Sequence, residues 1–358
     1  MARLPQELLD AIVDHLAQDT ESLQRCCVAS RHFIRAAQKQ LFDIIDLRGD
    51  AEPVEPSTSG GLARALSTIL SSSPHLGSYI GQLHLGLLER EPEDHAALEH
   101  VLGPGMLPKL RKISIQGDGM ALWPSLADAL CELCLRLRAL DLGMLGVSDV
   151  PLPVIRAAMT FQRDLFLGII APTQSSEWND AQLARYRLAK RPEEPPLRKL
   201  ILIQGPHPSL SDLLGGFDEL STQISQLQIL ENHILDDPPV LSQQLIEGSS
   251  KTLRSLLLRL LPLDTEPISF PSLPSLTRAH IIAELDETNE MALPDSFSPL
   301  LVGLVSAAPQ LIHLALEFTA YDLAKELEWD FEALPVIKSD SAPKLRSSLM
   351  RRSCIDHA

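Results

Sequence analysis

Cysteine is scarce in this sequence, with 5 residues among 358 and no regular spacing between them. An odd number of cysteines without a spacing framework argues against a secreted disulfide scaffold and indicates reduced thiols. Cys131 and Cys134 form one CxxC motif, but a zinc site needs a second ligand pair, and no thioredoxin-like context surrounds them. We expect both to be small buried residues of an apolar helix, and Cys26 and Cys27 to be core residues as well.

Catalytic motifs are also missing. His95, Glu99 and His100 lack the order and spacing that place two imidazoles and a base on one helix face. The GPGMLP segment from Gly103 lacks the third glycine of a dinucleotide loop, and neither a phosphate-binding loop nor a nucleophile elbow occurs. His84, His280 and His313 lie in separate predicted strands without a carboxylate partner. The sequence therefore predicts a protein that is not an enzyme, without catalytic residues, metal ligands or a cofactor.

Long apolar runs are absent too, since even RSLLLRLLPL contains Arg259, and Glu7 and Asp10 stand where a signal peptide is apolar. We expect a cytoplasmic or nuclear protein without membrane contact. Basic residues number 31 against 47 acidic ones, a net charge of −16. This charge argues against a nucleic-acid partner and mildly favours a basic or neutral one, although acidity that only maintains solubility gives the same balance.

The amino-terminal segment has a pattern typical of three short helices. Pro5 suits a first helical turn, and apolar residues then recur at the spacing of one helical stripe. Asp19 and Ser30 supply side-chain oxygens that can cap a second and a third helix. So short a segment cannot bury all its apolar side chains internally, because it hides too little surface. The sequence predicts that a partner covers the remainder.

This segment resembles an F-box, the module that docks substrate receptors onto a Skp-type adaptor and hence onto a cullin ubiquitin ligase. The similarity covers residues 4 to about 47, from LP-x-E-LL-x-x-IV-x-x-L to the V-x-S-R signature of Val28, Ser30 and Arg31, with Phe33 at a position that is often tryptophan. The resemblance assigns adaptor contact to the opening Leu-Pro and the apolar residues that follow: Leu4, Pro5, Leu8, Leu9, Ile12, Val13 and Leu16. An alternative is an amphipathic helical cap on the following domain.

After the F-box, residues 1–47, a stretch rich in proline, glycine and serine predicts a linker over 48–60. A short strand with alternating leucine or isoleucine, preceded by a basic or polar residue, then recurs about every 25–35 residues, the length of one strand and one helix per solenoid turn. The first inward-facing residues of these strands are predicted to be Leu83, Ile113, Leu140, Leu165, Leu200, Leu227, Leu256, Ile281 and Leu314.

Segments with helical spacing separate these strands, such as LARALSTILSS and PSLADALCELC, and proline or glycine marks their ends. Residues 61–330 thus resemble the irregular leucine-rich-repeat domains of many fungal F-box proteins, although the regular asparagine ladder is missing. The predicted fold class is α/β: a three-helix F-box followed by an irregular leucine-rich-repeat-like solenoid with a parallel sheet. A globular α/β domain is the alternative. An extra polar helix is predicted over 178–191, and a disordered tail over 331–358.

Side chains alternate along a strand, so residues next to the inward leucines are predicted to line the open face of the sheet. The residues assigned to substrate binding there are His84, Ser114, Asp141, Gln228 and Arg259. A broad sheet of mixed polar and apolar groups suits recognition of another protein.

The sequence therefore predicts a substrate-recognition subunit of a cullin-based ubiquitin ligase. Its partners would be the adaptor, cullin through the adaptor, and an unidentified target protein. The alternatives are an F-box protein without a ligase role and a leucine-rich-repeat scaffold.

Overall fold

The computed structural model describes residues 5–48, 58–87, 92–137, 140–168, 172–173, 197–203, 221–233, 240–260, 268–284, 297–320 and 349–354. Within these residues the protein is of mixed α/β class, with parallel strands and intervening helices. The chain forms two compact units: unit 1 contains Met1–Ala158 and Thr173–Ala189, and unit 2 contains Met159–Pro172 and Lys190–Ala358.

Unit 1 begins with three helices, α1 (Gln6–Asp14), α2 (Thr20–Ala29) and α3 (Arg31–Asp43). The predicted caps are present: the Asp19 carboxylate accepts a hydrogen bond from Ser22 N at 3.0 Å, and the Ser30 hydroxyl accepts one from His32 N at 3.3 Å. The Asp19 carboxylate also accepts from the Ser22 hydroxyl, which holds the pKa of Asp19 below its ordinary value. These caps satisfy amide groups that would otherwise lack partners at the start of each helix.

The parallel strands of unit 1 are β1 (Ile44–Leu47), β2 (Gln82–Gly86), β3 (Lys112–Ala121) and β4 (Asp141–Ser148). β1 pairs with β2, β2 with β3 and β3 with β4. The remaining elements of this region are α4 (Thr58–Ser72), the 3₁₀ helix Pro74–Ser78, α5 (Pro92–Leu102), α6 (Pro124–Arg136), the two-residue strand β5 (Val150–Pro151) and α7 (Leu152–Phe161), which ends in unit 2.

Unit 2 contains the parallel strands β6 (Asp164–Gly168), β8 (Lys199–Ile203), β9 (Ile229–His233), β10 (Ser255–Leu260), β11 (Arg278–Glu284), β12 (His313–Ala320) and β13 (Leu349–Cys354), each paired with the next. Its described helices are α8 (Ser221–Ile224), α9 (Val240–Ser249) and α10 (Phe297–Ala307). The two-residue strand β7 (Pro172–Thr173) lies at the unit boundary.

The predicted alternation along the strands is confirmed, because every residue predicted to face inward is buried. The strand pairing forms a ladder of register partners, and three of these residues, Leu140, Leu227 and Ile281, are not register partners of the predicted inward residue on the neighbouring strand. Ile113 pairs with Leu142 rather than Leu140, Leu200 with Leu230 rather than Leu227, and Leu256 with Ala279 rather than Ile281. Leu140 and Leu227 are buried leucines that precede β4 and β9, and in β11 the paired position is the small Ala279, two residues before Ile281. Burial alone does not distinguish the two positions in any of the three cases.

Two predicted boundaries differ from the structure. α4 begins at Thr58, inside the predicted linker 48–60, and strand β13 lies within the predicted disordered tail 331–358. The predicted helix over 178–191 falls outside the described residues, as do most of the linker and the rest of the tail.

Candidate functional site

The three amino-terminal helices share a very small core. Val13, Leu23 and Ala37 are its fully buried side chains, and partly buried residues pack around them, namely Leu16, Cys26, Cys27, Phe33, Ala36 and Leu41. A core of this size supplies little hydrophobic stabilisation, since burial is worth roughly 25 cal/mol per Å² of apolar surface. The helices therefore depend on neighbouring elements for much of their stability.

The predicted adaptor-contact residues divide between this core and the surface. Leu9 and Val13 are 7% and 0% exposed, so in this structure they lie in the interior and not on the surface of α1. Leu16 packs against the same core, and Leu4 lies outside the described residues. The prediction treated one wide apolar stripe as a single face, whereas the structure buries part of it and exposes the rest.

We use the term docking patch for the exposed apolar residues Pro5, Leu8, Ile12 and Val28. Leu8 is 52% exposed, Ile12 45% and Val28 89%. Leu8 and Ile12 lie one turn apart on the same face of α1. Gln6 Nε2 donates to His32 O at 3.4 Å, which joins the start of α1 to the start of α3, and Val28 lies in the last turn of α2, three residues before α3 begins. Exposed apolar side chains indicate a binding surface when they are neighbours, as Leu8 and Ile12 are on α1.

The three amino-terminal helices continue directly into the sheet. α3 ends at Asp43 and β1 begins at the next residue, so the chain has no linker at the point where the helices meet the strands. Gly81 N donates to Asp43 O at 2.9 Å, and Arg111 Nη2 pairs with Asp43 Oδ1 at 2.9 Å. A Cβ at Gly81 would lie 2.5 Å from Arg111 Nη2 and 2.6 Å from Asp43 Oδ1, so a side chain there would displace the ends of both of these side chains. Residues 5–47 are thus part of the same unit as β2 to β4.

The outward face of the unit 1 sheet carries three of the predicted substrate residues. His84 on β2 pairs in register with Asp46 on β1 and Ser114 on β3, and Asp141 begins β4. Arg48 donates to the Asp46 carboxylate through Nε and Nη2 and keeps the pKa of Asp46 below its ordinary value. Burial and, to a smaller degree, the Arg48 charge lower the pKa of His84. His84, Ser114 and Asp141 are half-buried, as expected for groups on an open sheet face.

The outward face of the unit 2 sheet is more highly charged. Lys199 Nζ pairs with Glu231 Oε1 at 2.7 Å, and His280 Nε2 lies 3.1 Å from Glu317 Oε2. The predicted substrate residue Arg259 on β10 is the register partner of His233 on β9. Burial lowers the pKa of His233, and the nearby positive charge of Arg259 lowers it further.

Gln228 is not on this face, which corrects the prediction. It precedes β9 and accepts a hydrogen bond from Arg198 Nη2 at 3.2 Å through its side-chain oxygen. The three-residue shift from Leu227 to Leu230 moved the predicted face by an odd number of positions, which exchanges inward and outward residues. Glu231 and His233 were missed for the same reason, although the alternation of ILENH would have identified them had Leu230 been chosen.

The cysteines contribute to packing. Cys131 and Cys134 are buried in α6, and burial raises the pKa of the Cys131 thiol, so it stays protonated and unreactive at neutral pH. In the described part of the chain no group of three or more histidine, cysteine, aspartate or glutamate residues could hold a metal ion. Nor does any described helix combine the length and the apolar character needed to cross a membrane.

No protein-family model matches the sequence, and no curated protein is found to be similar to it. The case for function therefore depends on the docking patch, the sheet faces and the sequence motifs themselves.

Proposed function

We propose that this protein is a substrate-recognition subunit of a cullin-based ubiquitin ligase, in which residues 5–47 act as an F-box. The observation that supports this proposal most directly is the docking patch, since Leu8, Ile12 and Val28 are large apolar side chains 52%, 45% and 89% exposed. Burying them against a Skp-type adaptor would remove apolar surface from water and would add the shell that the small helical core lacks. Function of this kind would place the protein in the cytoplasm or nucleus.

In this proposal the sheets form an irregular leucine-rich-repeat solenoid that holds the target protein. The regular backbone hydrogen bonds at the strand starts support it: Arg254 N donates to Gln228 O at 2.8 Å, and Thr277 N donates to Arg254 O at 3.0 Å. One rung for each strand and helix is the geometry expected of a stacked repeat. The target would lie on the outward faces, near His84, Ser114 and Asp141 in unit 1 or Arg259 in unit 2.

The contribution to ubiquitin transfer would be proximity. Binding the adaptor and the target on one chain raises the effective concentration of target lysines near the ubiquitin-charged enzyme without any catalytic residue in this protein. The direct passage from α3 into β1 supports this role, because a junction fixed by Asp43, Gly81 and Arg111 limits movement between the docking helices and the strands of unit 1.

Co-expression with a Skp-type adaptor tests the proposal. Leu8→Asp and Ile12→Asp place a charge in the proposed apolar interface, and each should reduce adaptor recovery at least about tenfold, because an unpaired buried charge is strongly unfavourable. The matched control is Leu62→Asp on α4, which makes the same change at a side chain of similar exposure, 45%, outside the docking patch. Equal adaptor recovery from the wild-type chain and the two patch variants would exclude the proposal.

A second candidate is a repeat scaffold whose amino-terminal helices only cap the first repeat. The pairing of β1 with β2 favours it, because the segment that follows the helices covers the edge of the sheet as a capping element does. Recovery of adaptor together with cullin supports the ligase role. Recovery of adaptor without cullin indicates an F-box protein outside a ligase. Recovery of neither adaptor nor cullin indicates the scaffold.

A further inference from the structure

The residues that immediately precede the strands of unit 2 form a continuous row, which we call the entry rim. It consists of Arg163, Arg198, Gln228, Arg254, Thr277 and Ile312. Each rim carbonyl accepts a backbone hydrogen bond from the next rim residue, with N···O distances from 2.8 to 3.0 Å. Neighbouring strands lie about 4.8 Å apart, so the ladder brings side chains that are distant in sequence into one line.

The entry rim is rich in exposed cations. Arg163, Arg198 and Arg254 are all exposed, and Arg278, the residue after Thr277, is exposed too. Within the described residues no ion pair involves any of these four guanidinium groups, and Arg198 donates to the uncharged Gln228 side chain. Lys199 also lies next to the rim, but Glu231 already balances its charge at 2.7 Å.

Arginine near the end of a helix often serves the fold by donating to the last helical carbonyls. Arg136 in unit 1 does so, since Nη1 donates to Gly103 O at 2.9 Å and Nη2 to Leu102 O at 3.2 Å. Among the described residues, the three rim arginines make no bond of this kind. Repulsion between like charges on neighbouring strands is unfavourable. A concentration of cations on a chain of net charge −16 is therefore best explained by an anionic partner.

We propose that the entry rim of unit 2 binds an acidic segment of a partner protein. Aspartate and glutamate carboxylates of that segment would accept paired hydrogen bonds from Arg163, Arg198 and Arg254, the arrangement for which the planar guanidinium is suited. The same row also contains the uncharged Gln228 and Thr277 and the apolar Ile312, which is 39% exposed. This mixed composition fits a protein segment in which acidic residues are interspersed with others.

A nucleic acid is the less suitable anion. Its closely spaced phosphates need a continuous basic surface, whereas uncharged residues interrupt the arginines of the entry rim. The six rim residues include no aromatic side chain on which a base could stack. The inference concerns unit 2 alone, so it goes beyond the proposed ligase role and does not depend on adaptor docking.

Fluorescence polarisation of the full chain tests the proposal with a fluorescein-labelled peptide of alternating glutamate and alanine. The wild-type chain should bind it at low salt and lose affinity as salt rises. The Arg163→Gln, Arg198→Gln, Arg254→Gln triple variant should bind at least about tenfold more weakly, since each exposed pair contributes up to about 1 kcal/mol. A triple Arg→Lys variant, which keeps the charges, should retain part of the affinity.

The matched control is Arg35→Gln, Lys39→Gln, Lys109→Gln, which removes the same charge from exposed positions outside unit 2. It should change affinity by less than about twofold. If both triple variants bound the peptide equally weakly, the loss of affinity would come from the change in net charge alone, and the proposal would be overturned. Absence of peptide binding by the wild-type chain would overturn it too, as would tighter rim-dependent binding of a single-stranded oligonucleotide, which would assign the rim to nucleic acid. Circular dichroism melting confirms that each variant is folded.

Discussion

Unit 1 and unit 2 use the same backbone ladder at the starts of their strands but differ in the side chains along it. In unit 1 the ladder begins at Asp43 at the end of a helix, and the Arg111 guanidinium on a following rung pairs with that carboxylate. In unit 2 the corresponding arginines are exposed and have no described carboxylate partner. In unit 1 an arginine of this ladder therefore attaches α3 to the sheet. In unit 2 the arginines of the ladder are exposed to solvent.

The largest expected effect tests whether the two ladders are equally important for folding. Leu83 and Leu200 occupy matching inward positions and are fully buried. Leu83→Ala and Leu200→Ala should each lower the free energy of unfolding by about 2–5 kcal/mol, through lost burial and the cavity left behind. Chemical denaturation measures each loss. A loss below about 1 kcal/mol at either position would contradict its place in the packed core.

A second prediction concerns a local irregularity of unit 1. The register of β3 and β4 shifts between Gln116 and Met120, and Gly146 has φ +64° with Gly117 O 2.6 Å from where a Cβ would lie. Gly146→Ala should cost about 1–3 kcal/mol, because a left-handed backbone and a close carbonyl both oppose a side chain. Thermal unfolding of the wild-type chain and the variant measures this loss of stability. The control Gly105→Ala, at φ +83° with open space around it, should cost less, and an equal cost would show that the contact is unimportant.

A third prediction concerns a polar pair in the core of unit 2. Asn232 occupies an inward position between Leu202 and Leu258, and its Nδ2 donates to the Ser242 hydroxyl at 2.6 Å. Ser242→Ala should cost about 1–2 kcal/mol, since it leaves a buried amide without its partner. The double variant Asn232→Leu, Ser242→Ala should recover most of that loss in chemical denaturation. A double variant less stable than the single one would contradict this account.

The smallest expected effect is a pH dependence in unit 2. The folded state lowers the pKa of His233, mainly by burial, and Arg259 and His280 act in the same direction whereas Glu231 opposes them. The unfolded chain therefore binds this proton more readily, so stability should be complete above the ordinary histidine pKa and should decrease as pH falls through the lowered value. His233→Gln should flatten the stability profile between about pH 7 and pH 5. An unchanged slope would exclude His233 as its source.

The sequence was sufficient to predict elements whose pattern is local. Each predicted strand and the described helices between them are present, and the caps at Asp19 and Ser30 form as expected. Alternation of apolar residues identified the buried side of the predicted strands except β9, where Leu227 was taken as inward in place of Leu230. It did not identify the ladder partner where leucine recurs outside the strand, as at Leu227 and Leu230, because burial alone does not distinguish the two positions.

The candidate site was predicted less completely. Helical spacing selected Leu8, Leu9, Ile12 and Val13 together, but only the packing of α1 against α3 separates the exposed Leu8 and Ile12 from the buried Leu9 and Val13. The rim arginines were visible in the sequence as basic residues that precede strands. The net charge of the chain nevertheless led to the prediction of a basic or neutral partner, whereas these arginines favour an acidic one. Net charge averages over the whole chain, whereas a binding partner contacts the local distribution.

The sequence by itself determined the α/β class, the alternation of strands and helices, and the buried side of most strands, because these follow from short-range periodicity and the exclusion of apolar groups from water. Only the tertiary structure decided which leucines form one ladder, how α3 joins the sheet through Asp43 and Arg111, and which arginines share a rim. These features depend on contacts between residues that are distant in the sequence, 68 positions apart for Asp43 and Arg111, and such contacts exist only once the strands have paired.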